Sequence, residues 1–562
     1  MFRSIAPYGR VRTLQILASF LIFCILLSTL RLYRRQPPPP SIYDYTDGKT
    51  RGARQNETGI TPPVSDETSY LRYLVREYRL TNEVPYFARR IRPQFDSKTR
   101  KSMTEISDSK FMSRDFQRVR VDDEQLDLHA EKTIPISVTK SATPDQVDAS
   151  ALLFGVSTSY DRLTYGNSSL IRDWARWLTN GNGASNGASL VLTLHRATTR
   201  EINHISSTLH EKGIDAVVLP TDDTQGSTAR YLDLIQLLNS RKGELQGEGR
   251  EKKFLGLVDD DIFFPSMGKL LSRLSKYDVR KKLYLGLPSE RSDWIVENNV
   301  TLTYGGGAVF FTPPMITAIS QLPCLNSTTQ PLSPSSSESR TGQWDEALYT
   351  CITSHPGSSS HSDTKLHIIP SLYTPSDDLF SLRTGYESGV QPLTLHHYKH
   401  RHRFDPGKAH LVSSLCGESC FLQRFFFRED GWVLVNGHSV AEYPDGVDVL
   451  SVTGSTLRES GGRNKNKNKV RVDEHLIFDK EDSPERRMED RKVISWAGTK
   501  RTWRLLDARI GANGEVWQAY VKRKGSPVTY GDEDDRLPED DTVHTQDGPS
   551  DVDSVIVLIW EP

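Results

Sequence analysis

From residue 151 the chain alternates short apolar runs with stretches of helical spacing. Residues 151–156 (ALLFGV), 190–194 (LVLTL), 216–219 (AVVL) and 254–258 (FLGLV) are uniformly apolar and short, as buried strands are. Between them, Ile171, Trp174, Trp177 and Leu178 recur as one helical face, and residues 201–212 and 231–238 carry further helical patterns. Strand and helix in turn predict an α/β fold with a mostly parallel sheet and flanking helices. In such sheets ligands collect beyond the carboxyl ends of the strands.

After residue 428 the pattern changes. Residues 432–435, 447–452, 503–506, 516–521 and 555–559 are short β-type runs separated by polar loops, which predicts a β-rich C-terminal module over 429–562. Residues 333–340 (SPSSSESR), 463–469 (RNKNKNK) and 531–541 (GDEDDRLPEDD) read as insertions. Upstream, residues 69–90 look helical, but the chain to residue 147 is charged and weakly patterned.

The N-terminus has a different character. Residues 14–30 are almost wholly apolar and are bracketed by Arg3, Arg10 and Arg12 before and Arg31, Arg34 and Arg35 after. A helix of that length spans roughly 25 Å, enough for a thin bilayer. A cleaved signal peptide would show a shorter apolar region and a small-residue cleavage site, where this chain has Arg31-Leu32-Tyr33-Arg34. The expected layout is therefore a cytoplasmic tail over 1–13, a transmembrane signal anchor over 14–32 and a stem and pre-domain region over 33–147. A catalytic domain over 148–428 and the β-rich module follow. Pro37 to Pro40 open the stem as an extended spacer.

Composition narrows the partners. The 562 residues hold 71 Lys and Arg against 72 Asp and Glu, a net charge of -1, so the chain lacks the basic field that nucleic acid requires. Four sequons, at Asn56, Asn167, Asn299 and Asn326, favour a luminal body. Cys324, Cys351, Cys416 and Cys420 form an even set suited to two disulfides in an oxidising lumen, with three connectivities open. A zinc site is the alternative, but paired CxxC units are lacking. An anchor followed by a stem points to a single-pass type II protein of the Golgi membrane.

Chemistry concentrates after residue 258. Asp259-Asp260-Asp261 follows the apolar run directly, and three adjacent carboxylates repel one another unless a cation neutralises them. Hard oxygen donors suit Mn²⁺ or Mg²⁺; an acidic cap on a helix over 267–274 is the other reading. Gly305, Gly306 and Gly307 would let backbone approach a ligand closely. Asp345 and Glu346 form an acidic pair fit for general-base work or for starting a helix. His396, His397, His400 and His402 supply imidazoles.

The ordered set FLGLVDDDIFF (254–264), YGGGAVFF (304–311), QWDEALYTC (343–351) and LHHY (395–398) resembles the Fringe-like β-1,3-glycosyltransferases, in particular their fungal and plant branch. The resemblance covers roughly residues 151–405. It implies a GT-A-like fold, a UDP-sugar donor, Mn²⁺ and an inverting hexosyl transfer to a glycan or glycoprotein acceptor. It further implies Asp261 as direct metal ligand, Asp259 and Asp260 toward the donor, and His397 as second metal ligand with His396 as fallback. Asp345 or Glu346 would be the base, and Glu346 stands where the family usually has Asp. The run G-G-G-A-V departs from the family's G-G-A-G. Glu290, Arg291 and Trp294 would line the cleft or form an ordinary turn. A metal-dependent hydrolase and a non-catalytic carbohydrate-binding relative are the competing readings.

Overall fold

A computed structural model of the chain describes residues 66–286, 308–325, 344–353, 366–369, 372, 385–396, 398, 404–451, 476–478, 492–526, 529–531 and 552–562. The expected tail, anchor and the stem up to residue 65 lie outside these residues. Among the described residues, no helix is long and apolar enough to cross a membrane.

The chain opens with helix α1 (Glu67–Tyr78), whose first turn is capped by the Asp66 carboxylate accepting from the Ser69 N–H at 2.7 Å. Strands β1 (Glu83–Ser97), β2 (Thr104–Ile106), β3 (Gln117–Arg120) and β4 (Glu131–Thr139) follow. The α/β part then runs β5 (Leu152–Ser159), α2 (Tyr160–Leu178), β6 (Ser189–His195), α3 (Thr199–Glu211), β7 (Asp215–Pro220), α4 (Ser227–Gly247), β8 (Phe254–Val258) and α5 (Met267–Leu274). After it come β9 (Tyr284–Gly286), β10 (Ala308–Phe311), α6 (Pro313–Ile319), α7 (Trp344–Thr353) and β11 (Leu366–Ile368). Short helical turns between Tyr386 and Cys420 then lead into the strands β12 (Arg424–Phe427), β13 (Trp432–Val435), β14 (Ser439–Glu442), β15 (Val447–Ser451), β16 (Leu476–Phe478), β17 (Lys492–Trp496), β18 (Gly498–Ile510), β19 (Val516–Lys522), β20 (Thr529–Gly531) and β21 (Ser554–Trp560).

The expected α/β architecture is present. One eight-stranded sheet has the order β16-β11-β9-β10-β8-β5-β6-β7. Strands β5 to β8 pair in parallel, and β10 is the antiparallel member between β8 and β9. All five side chains of β8 are buried, which is why its sequence is an unbroken apolar run. Gly256 sits at its centre because a Cβ there would come within 3.0 Å of both Phe154 and Phe310.

A second, eleven-stranded sheet joins segments far apart in sequence, in the order β2-β12-β13-β14-β18-β19-β21-β1-β3 with β20 on β18 and β4 on β1. The sequence reading separated the stem and pre-domain region from the C-terminal module, yet their strands share this sheet. Strand β1 runs parallel to β21 from Tyr86 opposite Val555 to Ile91 opposite Trp560. The helical reading of residues 69–90 also ends early. Arg79 takes a left-handed conformation (φ 50°, ψ 49°) that closes α1, and the next residues satisfy their backbone by pairing with β21 instead. The final strand is thus an interior one, and Val555 to Trp560 are wholly buried.

Polar contacts close the seam between the sheets. The Glu418 carboxylate accepts from the backbone N–H of Met267 (3.0 Å) and Gly268 (2.9 Å) and from the Ser266 hydroxyl (2.8 Å), so it caps α5 from the other half of the chain. His410 is buried and its Nε2 donates to the Pro265 carbonyl at 3.0 Å. Asp507, also buried, accepts from the hydroxyls of Tyr70 (3.1 Å) and Tyr78 (2.7 Å) and pairs with Lys408 (2.9 Å).

Two outcomes follow for stability. Leu558 is fully buried in β21, so Leu558→Ala should cost about 3 kcal/mol in chemical denaturation. Burial first, and then the nearby Arg176 charge, depress the His410 pKa from 6.5 to about 3. Below pH 6.5 the unfolded chain takes up a proton that the folded chain refuses down to about pH 3. Stability should therefore fall as pH drops through that window, with a slope of up to about 1.4 kcal/mol per pH unit from this residue. Denaturation of His410→Gln between pH 6 and 4.5 should show a correspondingly shallower slope.

Candidate active site

The acid triple stands at the carboxyl end of β8, next to the carboxyl end of β5 and beside the point where β10 begins, since Ala308 pairs with Val258. It does not cap α5; Ser266 and Glu418 do that. Its three side chains face different neighbours. Asp259 is the most open, and its Oδ1 accepts from the Trp344 indole N–H at 2.7 Å. Asp260 is buried, accepts from the Thr158 hydroxyl at the end of β5 and pairs with Arg162 Nε at 2.5 Å. Asp261 is buried, with Oδ2 at 3.5 Å from Arg162 Nη2 and Oδ1 at 3.1 Å from His396 Nε2. The same His396 nitrogen lies 3.1 Å from Asp259 Oδ2, so one imidazole edge faces two of the three carboxylates.

The contacts come from several elements, two of them from α2. Arg162 projects from the first turn of α2, whose N-terminus is capped by the Ser159 hydroxyl accepting from the Arg162 N–H at 3.2 Å. Trp174, near the C-terminal end of α2, donates its indole N–H to the Asp260 carbonyl at 2.9 Å. Trp344 opens α7 and stacks on Tyr231 of α4 with ring centroids 4.6 Å apart, while the Tyr231 hydroxyl donates to the Val258 carbonyl at 3.1 Å. His396 follows Leu395, which exchanges two backbone hydrogen bonds of 2.8 Å with Phe263. That segment is anchored further back, where Glu387 accepts from Lys500 at 2.7 Å and from the Ser439 hydroxyl at 2.8 Å.

The electrostatics follow from burial. Desolvation pushes the Asp260 pKa up; Arg162 and the Thr158 hydroxyl oppose it and the Asp261 charge adds to it. Desolvation and then the charges of Asp259 and Asp260 hold the Tyr231 hydroxyl well above its ordinary value, so Tyr231 acts only as a neutral hydrogen-bonding group. Burial would raise Glu387 as well, yet Lys500, Arg504 and His438 hold its carboxyl well below the usual range.

Of the residues singled out from sequence, Asp259, Asp260, Asp261 and His396 come together here. Asp345 is buried in the first turn of α7, next to Trp344. Glu346 belongs to the same turn, and its side chain is outside the description. His397, Gly305, Gly306, Gly307, Glu290, Arg291, Trp294, Asn56, Asn299 and Asn326 lie outside the described residues, as does the side chain of Asn167 in α2. Among the described residues, no group of three or more His, Cys, Asp or Glu side chains has a metal-holding arrangement. Of the three cysteine pairings open in the sequence, the chain takes Cys324–Cys351 and Cys416–Cys420. Sequence reading missed Arg162, Thr158, Trp174 and Tyr231, which have no local signature because they stand 30 to 100 or so residues from the triple and reach it only through the fold. Trp344 had a signal, since it lies inside the QWDE run, but no role was assigned to it.

A cleft of about 510 Å³, lined in part by Lys242, Lys252, Lys282 and Pro313, opens at the opposite end of the sheet, where β8 starts and β10 ends. Its buried lysine is committed: Lys252 Nζ donates to the carbonyls of Ser150 and Gly187, both at 2.9 Å. The acid triple is the better candidate for chemistry, because its charged groups face one another across chain segments and remain partly open to solvent through Asp259 and Arg162.

No protein-family model matches the chain, and no curated protein matches it. Among solved structures it is similar to the glycosyltransferase GlyE of Streptococcus pneumoniae TIGR4, with 11% identity over 44% of this chain and 53% of that one, at a TM-score of 0.26. It is also similar to a glycosyltransferase involved in the glycosylation of the major capsid of PBCV-1, with 10% identity over 44% of this chain and 92% of that one, at 0.23. Mouse xyloside xylosyltransferase 1 matches with 11% identity over 44% of this chain and 96% of that one, at 0.24. The chain thus spans about half the length of GlyE. At identities and TM-scores this low the likeness carries no argument, and the functional reading stands on the geometry of the acid triple.

Proposed function

We propose that the chain is a metal-dependent glycosyltransferase that takes a UDP-sugar as donor and transfers a hexose or N-acetylhexosamine, with inversion, to a glycan or glycoprotein acceptor. The single observation behind this reading is the acid triple at the carboxyl end of a central strand, converging with an imidazole on one side and a guanidinium on the other. The donor chemistry fits a divalent cation. Asp261 Oδ1 and His396 Nε2, 3.1 Å apart, are donors of the types that Mn²⁺ accepts. Asp261 and His396 would hold the ion, with His397 as the neighbouring alternative. When bound, the cation would supply positive charge to the donor diphosphate as the glycosyl bond breaks.

The chain's own groups divide the remaining work. Asp259 is held at Oδ1 by the Trp344 indole and faces His396 with Oδ2. Inversion needs a base on the face opposite the leaving diphosphate, and Asp345 or Glu346 on the first turn of α7 would take the proton from the acceptor hydroxyl. The β-1,3 linkage, the Fringe-like family and residence in the Golgi membrane through an N-terminal anchor are parts of the same reading, supported by the ordered motifs and the apolar run over residues 14–30.

The test is calorimetric titration of UDP into the purified full-length chain, with and without Mn²⁺. Binding is expected only with the metal, and Asp261→Ala should weaken it at least tenfold, about the effect of losing a charge-assisted contact. A folded wild-type chain that binds no UDP in the presence of Mn²⁺ would sink this reading.

A further inference from the structure

Arg162 stands out among the site's residues because its charge is of the wrong sign for a metal ligand and yet it occupies the triple. Its guanidinium lies 2.5 Å from Asp260 and 3.5 Å from Asp261, both buried, while its own side chain is 43% exposed. The two ends of this residue are held very differently. The backbone is fixed in the first turn of α2 by the Ser159 cap, whereas the long side chain reaches Asp260 and Asp261 and keeps part of its surface in solvent. The carboxylate end of the pair is buried and needs a counter-charge, but the guanidinium end is 43% exposed, so the arginine can leave once another cation takes its place on Asp260. A guanidinium also matches the oxygens of a phosphate in a forked, bidentate way that an ammonium does not. The N-terminal end of α2, a helix of 19 residues, adds its own attraction for negative charge at the same place.

Charge balance gives the direction of the exchange. Without a ligand, three adjacent carboxylates need positive charge; Arg162 supplies it from α2, and the His396 imidazole faces Asp259 and Asp261 from the segment after Leu395. With a cation on the triple, a guanidinium at 2.5 Å from Asp260 becomes surplus positive charge beside that ion and is repelled from it. A diphosphate arriving with the cation offers the nearest new anion. We propose that Arg162 is the resident counter-ion of the acid triple and changes partners on donor binding, releasing Asp260 and Asp261 and donating its guanidinium N–H groups to the donor diphosphate. Arg162 thereby couples the two binding events: it opposes the cation bound alone and favours the cation bound with a nucleotide diphosphate. This inference rests on the UDP-sugar reading above. It differs from a permanent structural clamp, in which Arg162 would stay on Asp260 throughout.

The experiment measures two affinities on the full-length chain: Mn²⁺ alone, from the free-ion signal in electron paramagnetic resonance, and UDP at saturating Mn²⁺, by calorimetry. Arg162→Met removes the charge and keeps the stem. It is expected to bind Mn²⁺ alone roughly three- to tenfold more tightly and UDP about tenfold more weakly than wild type. Arg162→Lys keeps the charge and loses the fork, so its Mn²⁺ affinity should stay within about twofold of wild type while UDP still binds more weakly. A clamp predicts that both affinities fall together in Arg162→Met, and that result would overturn the proposal, as would unchanged UDP affinity in either variant. If Arg162→Met does not fold, the UDP affinity of Arg162→Lys decides alone. Wild type failing to bind UDP with Mn²⁺ overturns the donor reading itself, whereas wild-type binding with the wrong variant pattern overturns only the role of Arg162.

Discussion

Burying carboxylates side by side is the constraint around which the α/β half is organised. Asp260 and Asp261 are nearly inaccessible to water, and desolvation pushes the Asp260 pKa up. Positive or hydrogen-donating groups are brought to them from three separate stretches of chain: the β5–α2 junction, the start of α7 and the segment after Leu395. Thr158 ends β5, Arg162 begins α2, Trp344 begins α7 and His396 follows the short pairing of Leu395 with Phe263. The site is therefore an intersection of elements, and its geometry is as good as the packing that positions them.

That packing reaches into the β-rich half. The loop after the triple is held by His410 through the Pro265 carbonyl, and α5 behind it is capped by Glu418. Both residues lie in the helical turns between His410 and Cys420 that lead into β12 and the eleven-stranded sheet. The segment carrying His396 is tethered there as well, through the buried pair of Glu387 with Lys500 of β18. The β-rich half thus holds one wall of the site in place. Its own integrity depends on β21 lying between β19 and β1, where the last residues of the chain pair with some of the first described.

Much of the α/β half was legible in the sequence because its strands are buried on both faces and its helices carry a single apolar stripe. The run at residues 254–258 coincides with β8, and the run at 216–219 lies inside β7. The acids directly after β8 were legible for the same reason: polar residues that break an apolar strand at its carboxyl end stand where ligands bind. The β-rich half was only partly legible. Residues 432–435 coincide with β13, but β1 was mistaken in part for helix, because Arg89, Arg90 and Arg92 interrupt the alternation and its pairing partner lies more than 460 residues away. Glu67, Glu131 and Glu561, which balance those arginines, are likewise spread along the whole chain.

The sequence by itself determined the α/β core, the place of the acid triple at the end of its central strand and the residues able to form two disulfides, because each rests on local periodicity or on residue identity. Tertiary structure alone decided which cysteines pair, that the N-terminal strands complete the C-terminal sheet, and that Arg162, Trp344 and His396 converge on the three carboxylates. The physical reason is the same in each case. Pairing, sheet order and charge compensation are properties of distances between remote segments, and those distances exist only once the apolar surfaces of both sheets have been buried.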